Sequence, residues 1–221
     1  MVDCWIRYTA CWKTENATEA MPKASRLLKT VTLGANAVGK TSVIEQLVFG
    51  FFEENKTFPT VEDTYEAWVE VERAQREKIR IYDTAGLNVE SPQVPSHYLH
   101  IADGFILVFS VCCEKSFKLV HDLKKEIDRV RGKDFPILVL GTKVDLVEER
   151  KCDHNNIMQW SDTEKVKLFE VLTSNRKTLQ EPVTWLVKKM VSCCGKGSSQ
   201  TDIKKIFNRK STNKNKEGSE S

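Results

Sequence analysis

The sequence predicts a doubly wound α/β domain, with a mostly parallel six-stranded sheet, one antiparallel edge strand, and helices on both faces. Segments with strand patterns alternate along the chain with segments of helical periodicity. Two continuous apolar runs, 104–109 and 135–140, are typical of strands that are buried on both faces. Polar loops follow three of the predicted strands, which is where open α/β sheets bind ligands.

Composition divides the chain into three parts. Of the 221 residues, 40% are hydrophobic and 29% are charged, which is ordinary for a globular protein. We expect a disordered N-terminal arm at 1–25, one domain at 26–191 and a disordered basic tail at 192–221. Met21 is an alternative start that would leave a compact domain.

Net charge, hydropathy and cysteine content argue against several classes of protein. The net charge of +3 is too small to indicate nucleic-acid binding. No apolar run approaches the roughly 18 residues of a membrane span, so we expect no transmembrane segment. The seven cysteines form no C-x-x-C pair, which predicts reduced thiols and a cytoplasmic protein.

The elements follow in order from these patterns. A strand at 27–33 precedes a helix that runs to about residue 50, and alternating strands at 65–72 and 79–82 form a hairpin. Ser116 opens an amphipathic helix, and a helix near 155–165 leads to a short strand at 167–172. Thr178 and Glu181 form a capping box that starts the last helix, which places Pro182 in its first turn.

The loop at 34–41 has the pattern G-x-x-x-x-G-K-[ST] between the first strand and the first helix. Glycines let successive backbone N–H groups converge on phosphate oxygens, and the helix N-terminus favours an anion. Lys40 supplies positive charge for the outer phosphates, and Thr41 offers a hydroxyl to Mg²⁺. The pattern predicts that a nucleoside triphosphate is bound by Gly34, Asn36, Ala37, Val38, Gly39, Lys40, Thr41 and Ser42.

A second loop predicts a sensor for the metal and the γ-phosphate. Asp83 ends a predicted strand, so its carboxylate can hold Mg²⁺ through water. Gly86 follows three residues later, and its N–H can meet the γ-phosphate and move when that group leaves.

A third loop predicts selection of the base. Asp145 can accept two hydrogen bonds from guanine, whereas adenine presents no such donor pair. The stem of Lys143 would lie along the ring, next to Thr142 at the strand end. A backbone N–H for the guanine carbonyl can come from the segment that follows the last strand, Ser174, Asn175 and Arg176.

With these motifs in order, residues 27–190 resemble the small GTPases of the Ras superfamily. The resemblance implies the P-loop NTPase, small G-protein fold, with GTP or GDP and Mg²⁺ as cofactors. It implies that Phe52 packs on the guanine and that Thr60 contacts Mg²⁺ and the γ-phosphate. Segments 53–63 and 85–98 then correspond to switches I and II. The implied metal set is Thr41, Thr60 and Asp83, and Lys40 and Thr60 act in catalysis.

Two departures from the Ras pattern predict slow hydrolysis. Leu87 stands where Ras has the glutamine that orients water, and leucine has no donor or acceptor. Asn36 replaces a glycine and would obstruct an arginine finger, which supplies about 10³–10⁵ in rate. Together they predict a long-lived GTP-bound state, unless other residues compensate.

A closer resemblance is to the kappaB-Ras family. Segments 95–98, 123–128, 164–171 and 176–182 are similar to that family, as is Leu87. This implies a monomer that binds and protects inhibitors of NF-κB and associates with the Ral GTPase-activating complex. Ala85 and Thr142 depart from that family, which has arginine and asparagine there, and the N-terminal arm is additional.

The sequence is also compatible with other functions. The intact nucleotide motifs also fit a conventional cycling GTPase that acts on other effectors, and less well a scaffold indifferent to nucleotide. A nucleotide kinase would leave the motif at 142–145 without a role. The chain ends without a C-a-a-X box, so we expect no prenylation, while weak contact of the basic tail with anionic membranes stays open. Cys193 and Cys194 are acylation sites or free thiols.

Overall fold

Strands and helices alternate through the whole domain. The computed structural model describes residues 9–11, 26–51, 59–72, 75–90, 92 and 94–196. The strands are β1 (Thr9–Cys11), β2 (Leu27–Gly34), β3 (Glu62–Glu72), β4 (Gln75–Thr84), β5 (Gly104–Ser110), β6 (Ile137–Thr142) and β7 (Lys167–Glu170). The helices are α1 (Lys40–Phe49), α2 (Ser96–Ile101), α3 (Glu114–Arg131), α4 (His154–Glu164) and α5 (Arg176–Lys196).

One sheet contains all of these strands, in the order β1-β3-β4-β2-β5-β6-β7. Parallel pairing joins β4, β2, β5, β6 and β7, and β3 pairs antiparallel with β4. This arrangement confirms the predicted fold class and its antiparallel hairpin. None of the helices among the described residues is long and apolar enough to cross a bilayer.

Strand β1 was not predicted, because it lies within the arm for which the composition predicts disorder. Its three residues pair in parallel with β3, with Thr9 opposite Glu66 and Cys11 opposite Trp68. The other residues before Arg26, and those after Lys196, lie outside the described residues. The predicted domain bounds therefore stay a prediction.

The core lies on both faces of the central strands. All seven residues of β5 and all six of β6 are buried, as their apolar runs predicted. Helices α1 and α5 pack together on one face, and α2 and α3 pack together on the other. The predicted apolar face of α5 is also buried, and consists of Leu179, Val183, Leu186, Val187 and Met190.

The start of α5 corrects the sequence prediction. The helix begins at Arg176, because Asn175 Oδ1 accepts a hydrogen bond from the Lys177 N–H at 3.1 Å and caps the first turn. Thr178 lies inside the helix, with its hydroxyl 2.8 Å from the Asn175 carbonyl. The predicted capping box is therefore wrong, and Pro182 lies in the second turn, where the buried face of α5 offsets its missing N–H.

Other boundaries also shift, including those of the hairpin, since β3 begins at Glu62 and β4 extends from Gln75 to Thr84. Helix α3 begins at Glu114, and Ser116 is buried two residues inside it, with its hydroxyl 2.6 Å from the Cys113 carbonyl. This hydroxyl also accepts the Ser110 N–H at 3.1 Å, so Ser116 ties the helix start to β5. Strand β7 ends at Glu170, two residues earlier than its apolar pattern predicted.

Candidate functional site

The three predicted loops meet at one edge of the sheet. They follow β2, β4 and β6, which run parallel to one another, so their carboxyl ends lie on the same side. Strand β2 lies between β4 and β5, and β6 is the next strand. The sequence prediction that these loops share one site is therefore consistent with the topology.

The first loop has the backbone that a phosphate cradle requires. Ala37 and Gly39 have φ angles of 58° and 90°, both in the left-handed region. Gly34 permits a close approach, since a Cβ there would lie 2.2 Å from the Val108 carbonyl oxygen. Gly39 is also the N-cap residue of α1, which places this helix N-terminus at the loop.

Lys40 is held inside this loop. Its Nζ lies 3.0 Å from the Ala35 carbonyl oxygen and 3.4 Å from that of Gly34. Burial lowers the pKa of Lys40, and the nearby Asp83 carboxylate acts in the opposite direction. The loop therefore holds a buried cation against its own backbone, ready to compensate phosphate charge.

Three oxygen-bearing side chains meet beside Lys40. The Thr41 hydroxyl donates to Asp83 Oδ2 at 2.5 Å and lies 2.8 Å from the Thr60 hydroxyl. Asp83 is fully buried, and its Oδ1 has no hydrogen-bond partner among the described residues. Burial raises its pKa to about 6, against smaller opposing effects of the Thr41 hydrogen bond and the Lys40 charge. Hard oxygen donors around an unpartnered buried carboxylate oxygen fit a Mg²⁺ ion.

The loop after β4 is attached to the phosphate loop. The Leu87 N–H donates to the Gly34 carbonyl at 3.0 Å, and Leu87 forms a parallel bridge with Ala35. The Leu87 side chain is 9% exposed and belongs to the hydrophobic core. Asn36 lies directly against Gly86, because a Cβ on Gly86 would be 2.0 Å from Asn36 Oδ1.

The loop after β6 is tied to the phosphate loop by Thr142. Its hydroxyl is fully buried and lies 2.7 Å from the Val38 carbonyl oxygen and 3.0 Å from that of Phe109. A hydroxyl has one hydrogen to donate, and here that hydrogen is used within the protein. We therefore assign Thr142 a positioning role. Lys143, with a φ of 61°, and the exposed Asp145 remain the predicted contacts to the base.

The segment after β7 contacts the far half of α1. Arg176 donates from Nε to the Leu47 carbonyl at 3.0 Å and from a terminal nitrogen to that of Val48 at 3.3 Å. The guanidinium thus binds carbonyls of the last turn of α1. A nucleotide contact from this segment would therefore come from its backbone, as the sequence suggested. Phe52 and residues 53–58 lie outside the described residues.

Sequence reasoning missed one residue of this arrangement. Gln46 is buried on α1, and its amide donates to the Ser174 carbonyl at 3.3 Å. It holds the segment after β7 against the helix that follows the phosphate loop. A single polar residue in a helix carries no signal for such a contact.

Comparison with known proteins agrees with this geometry. The family model described as Ras family matches residues 29–192. NF-kappa-B inhibitor-interacting Ras-like protein 1 of Danio rerio is 47% identical, over 73% of this chain and 85% of the relative. Its Homo sapiens counterpart is 45% identical, and protein 2 of the same name from Gallus gallus is 43% identical, each with the same coverage. The chain therefore belongs to the Ras family of guanine-nucleotide-binding proteins, in the branch that contains the NF-kappa-B inhibitor-interacting Ras-like proteins.

Proposed function

We propose that this protein binds GTP, hydrolyses it slowly, and regulates NF-κB signalling in the cytoplasm by binding and protecting inhibitor proteins of NF-κB. The observation that carries slow hydrolysis is the burial of Leu87. The partner is proposed from the names of the relatives, which are 42–47% identical to this chain. The location is proposed from the cysteine pattern of the sequence.

Leu87 offers nothing to the attacking water. Its side chain has no donor or acceptor, and it is directed into the core. Its N–H is engaged by the Gly34 carbonyl, which holds the start of switch II against the phosphate loop. The position that would orient water is therefore both chemically inert and restrained.

Asn36 adds a second obstacle. Its side chain is exposed at the rim of the phosphate loop and contacts Gly86, the predicted γ-phosphate sensor. An arginine supplied by an activating protein would have to pass this side chain. We therefore propose that activators of the Ras type accelerate this protein poorly.

The residues that would hold Mg²⁺ are Thr41, Thr60 and Asp83. When bound, the ion neutralises charge on the phosphate oxygens. Thr41 and Asp83 already share a hydrogen bond, and Thr60 lies within hydrogen-bonding distance of Thr41. Lys40 adds a fixed positive charge on the phosphate side. These groups support GTP binding, and they are independent of the two obstacles to hydrolysis.

Single-turnover hydrolysis of GTP tests the proposal. We expect the wild-type rate to fall below that of an ordinary Ras protein, about 3–5 × 10⁻⁴ s⁻¹. Leu87→Gln should raise this activator-free rate, and Asn36→Gly should raise the rate measured with an added Ras-type activating protein, whose arginine Asn36 obstructs. Leu87→Met is the matched control, because it keeps an apolar side chain of similar volume. A wild-type rate equal to that of ordinary Ras, unchanged in the double variant, would refute slow hydrolysis.

A conventional cycling GTPase is the second candidate, and the complete set of Lys40, Thr41, Thr60 and Asp83 favours it. The nucleotide carried by protein purified from its own cells distinguishes the two. Mostly GTP supports the proposed function, and mostly GDP supports cycling.

Binding to NF-κB inhibitors is tested separately with purified proteins. We expect a 1:1 complex with this protein as a monomer, and slower proteasomal degradation of the inhibitor within it. The Ral GTPase-activating complex is a second proposed partner, and the same binding assay applies to it. Absence of a complex in both the GDP and the GTP states would contradict the proposed partner while leaving the nucleotide site untouched.

A further inference from the structure

The edge of the sheet opposite the nucleotide loops contains a concave site of about 430 Å³. Pro136 and Ile137 lie there at the start of β6, and Val166 lies just before β7. We name this site the basic cleft; it is lined by Lys133, Phe135, Lys165, Trp185, Lys189 and their neighbours. We propose that the basic cleft binds a peptide segment of a partner protein, and that this segment contains acidic residues and one apolar side chain. The cleft shares no residue with the nucleotide site, so the inference goes beyond the proposed function.

The floor of the basic cleft is apolar and preformed. Phe135, Val166 and Trp185 are partly buried against the core, so each keeps surface open to a ligand. The Phe135 ring lies 5.6 Å from the Phe105 ring, and the Arg131 guanidinium lies 4.1 Å above its face. Because these contacts fix the ring, an apolar side chain that enters would find a surface that needs little ordering.

The rim of the cleft is positively charged. Lys133, Lys165 and Lys189 are exposed, and within the described part of the chain none of them forms an ion pair. Lys165 is the C-cap residue of α4, with a φ of 55°. Asp134 is the one acidic residue of the lining that forms no ion pair within the described residues. Three cations therefore face the cleft against one such carboxylate.

The other acidic residue of the lining, Glu164, is ion-paired. It forms a salt bridge with the buried Lys124 at 2.9 Å, and Lys124 also forms a salt bridge with Asp128. These contacts lower the pKa of Glu164, so it stays ionised and matched to Lys124. Because Lys124 is shared by two carboxylates, this cluster carries one negative charge, and the three rim lysines still outnumber that charge together with Asp134.

The shape and charge of the cleft favour a peptide over other anions. A lipid surface is nearly flat, and it would leave the half-buried Trp185 and the concave floor without contact. The chain's own tail is unsuitable, because residues 197–221 contain six Lys or Arg against three Asp or Glu and would be repelled. An acidic segment with one aromatic or aliphatic side chain satisfies both the rim and the floor.

Selection from a displayed library of random 12-residue peptides tests the proposal, with the full-length GDP-bound protein as the target. Enriched peptides should combine Asp or Glu with an aromatic or aliphatic residue. Their affinity, measured by fluorescence anisotropy, should fall about tenfold or more in the triple variant Lys133→Glu, Lys165→Glu, Lys189→Glu, because like charges across an interface are costly. Trp185→Ala should weaken the same peptides without changing the salt dependence of binding.

The matched control is Lys115→Glu, Lys118→Glu, Lys151→Glu, which makes the same charge change on exposed lysines outside the cleft. It should retain peptide binding, and both triple variants should keep the wild-type melting temperature and GDP affinity. Enrichment of peptides without acidic residues, no enrichment, or equal loss in both triple variants would overturn the proposal. So would binding to phosphatidylserine vesicles that the cleft variant loses while peptide binding persists.

Discussion

Replacing Thr142 by valine removes a hydroxyl while preserving the shape of the side chain. The Thr142 hydroxyl is fully buried and lies 2.7 Å from the Val38 carbonyl oxygen and 3.0 Å from that of Phe109. These contacts join the loop after β6 to the phosphate loop. We expect Thr142→Val to destabilise the domain and to speed GDP release, without altering the preference for guanine over adenine.

The expected loss of stability follows from the one hydrogen bond that the Thr142 hydroxyl can donate. A buried carbonyl that loses its donor costs about 1–3 kcal/mol. For a domain of this size, 1 kcal/mol corresponds to about 2–4 °C in melting temperature, so we expect a decrease of about 3–10 °C. If part of that cost appears only in the nucleotide-bound state, the GDP dissociation rate rises by up to about a hundredfold.

Thr32→Val is the matched control for this exchange. Thr32 is also fully buried, but its hydroxyl has no hydrogen-bond partner among the described residues. Removing an unpaired buried hydroxyl should leave stability unchanged or raise it by up to about 1 kcal/mol. Thermal unfolding and release of fluorescent GDP measure both variants. Equal destabilisation by the two substitutions, or loss of guanine selectivity in Thr142→Val, would refute the positioning role.

Three further predictions concern the loops and their supports. Arg150 pairs with both oxygens of Glu170 at 2.9 and 2.8 Å, which holds the pKa of Glu170 below that of a free glutamate. The stabilisation is complete above the pKa of the unfolded state and is lost as the pH falls through the lower folded-state pKa. Glu170→Gln should therefore cost about 1–2 kcal/mol at pH 7 and reduce the acid sensitivity seen in thermal unfolding. Arg176→Ala should cost about 1–2 kcal/mol in urea unfolding, because α1 loses two charge-assisted hydrogen bonds. Gly86→Ala should weaken GTP binding in a titration, with partial recovery on adding Asn36→Gly, because the new methyl group meets both the side chain and the backbone of Asn36.

The periodicity of apolar residues predicted most of the strands and helices. The predictions were wrong at element ends, where alternative side-chain hydrogen bonds compete to cap a helix. The runs at β5 and β6 had no rival interpretation, since each is apolar throughout. The start of α5 had two possible interpretations. Thr178 could begin a capping box, and Asn175 could be the N-cap residue. The structure selects Asn175, and Pro182 then falls inside the helix. Both residue types are common at helix N-termini, so the local sequence pattern does not decide between the two caps.

The predicted site residues lie in three loops that the topology brings to one edge. Spacing alone could identify these loops, because each motif is defined by neighbours in sequence. The contacts between loops could not be predicted in the same way. Thr142 with Val38, Leu87 with Gly34, and the contact of Asn36 with Gly86 join residues 50 to 104 positions apart. From the sequence, Thr142 is predicted only as part of the base-selecting loop, and the structure adds that its hydroxyl lies 2.7 Å from the Val38 carbonyl oxygen of the phosphate loop.

The two departures from the Ras pattern are one feature of the structure. In the sequence, Asn36 and Leu87 are separate exceptions in separate motifs. In the structure Asn36 contacts Gly86, the residue before Leu87, and the Leu87 N–H binds Gly34 near the start of the loop that contains Asn36. Both side chains flank this junction, so their effects on the hydrolysis rate need not add. The double variant Asn36→Gly, Leu87→Gln replaces both of them, and a rate that stays at the wild-type value, with and without an added Ras-type activating protein, would count against both obstacles.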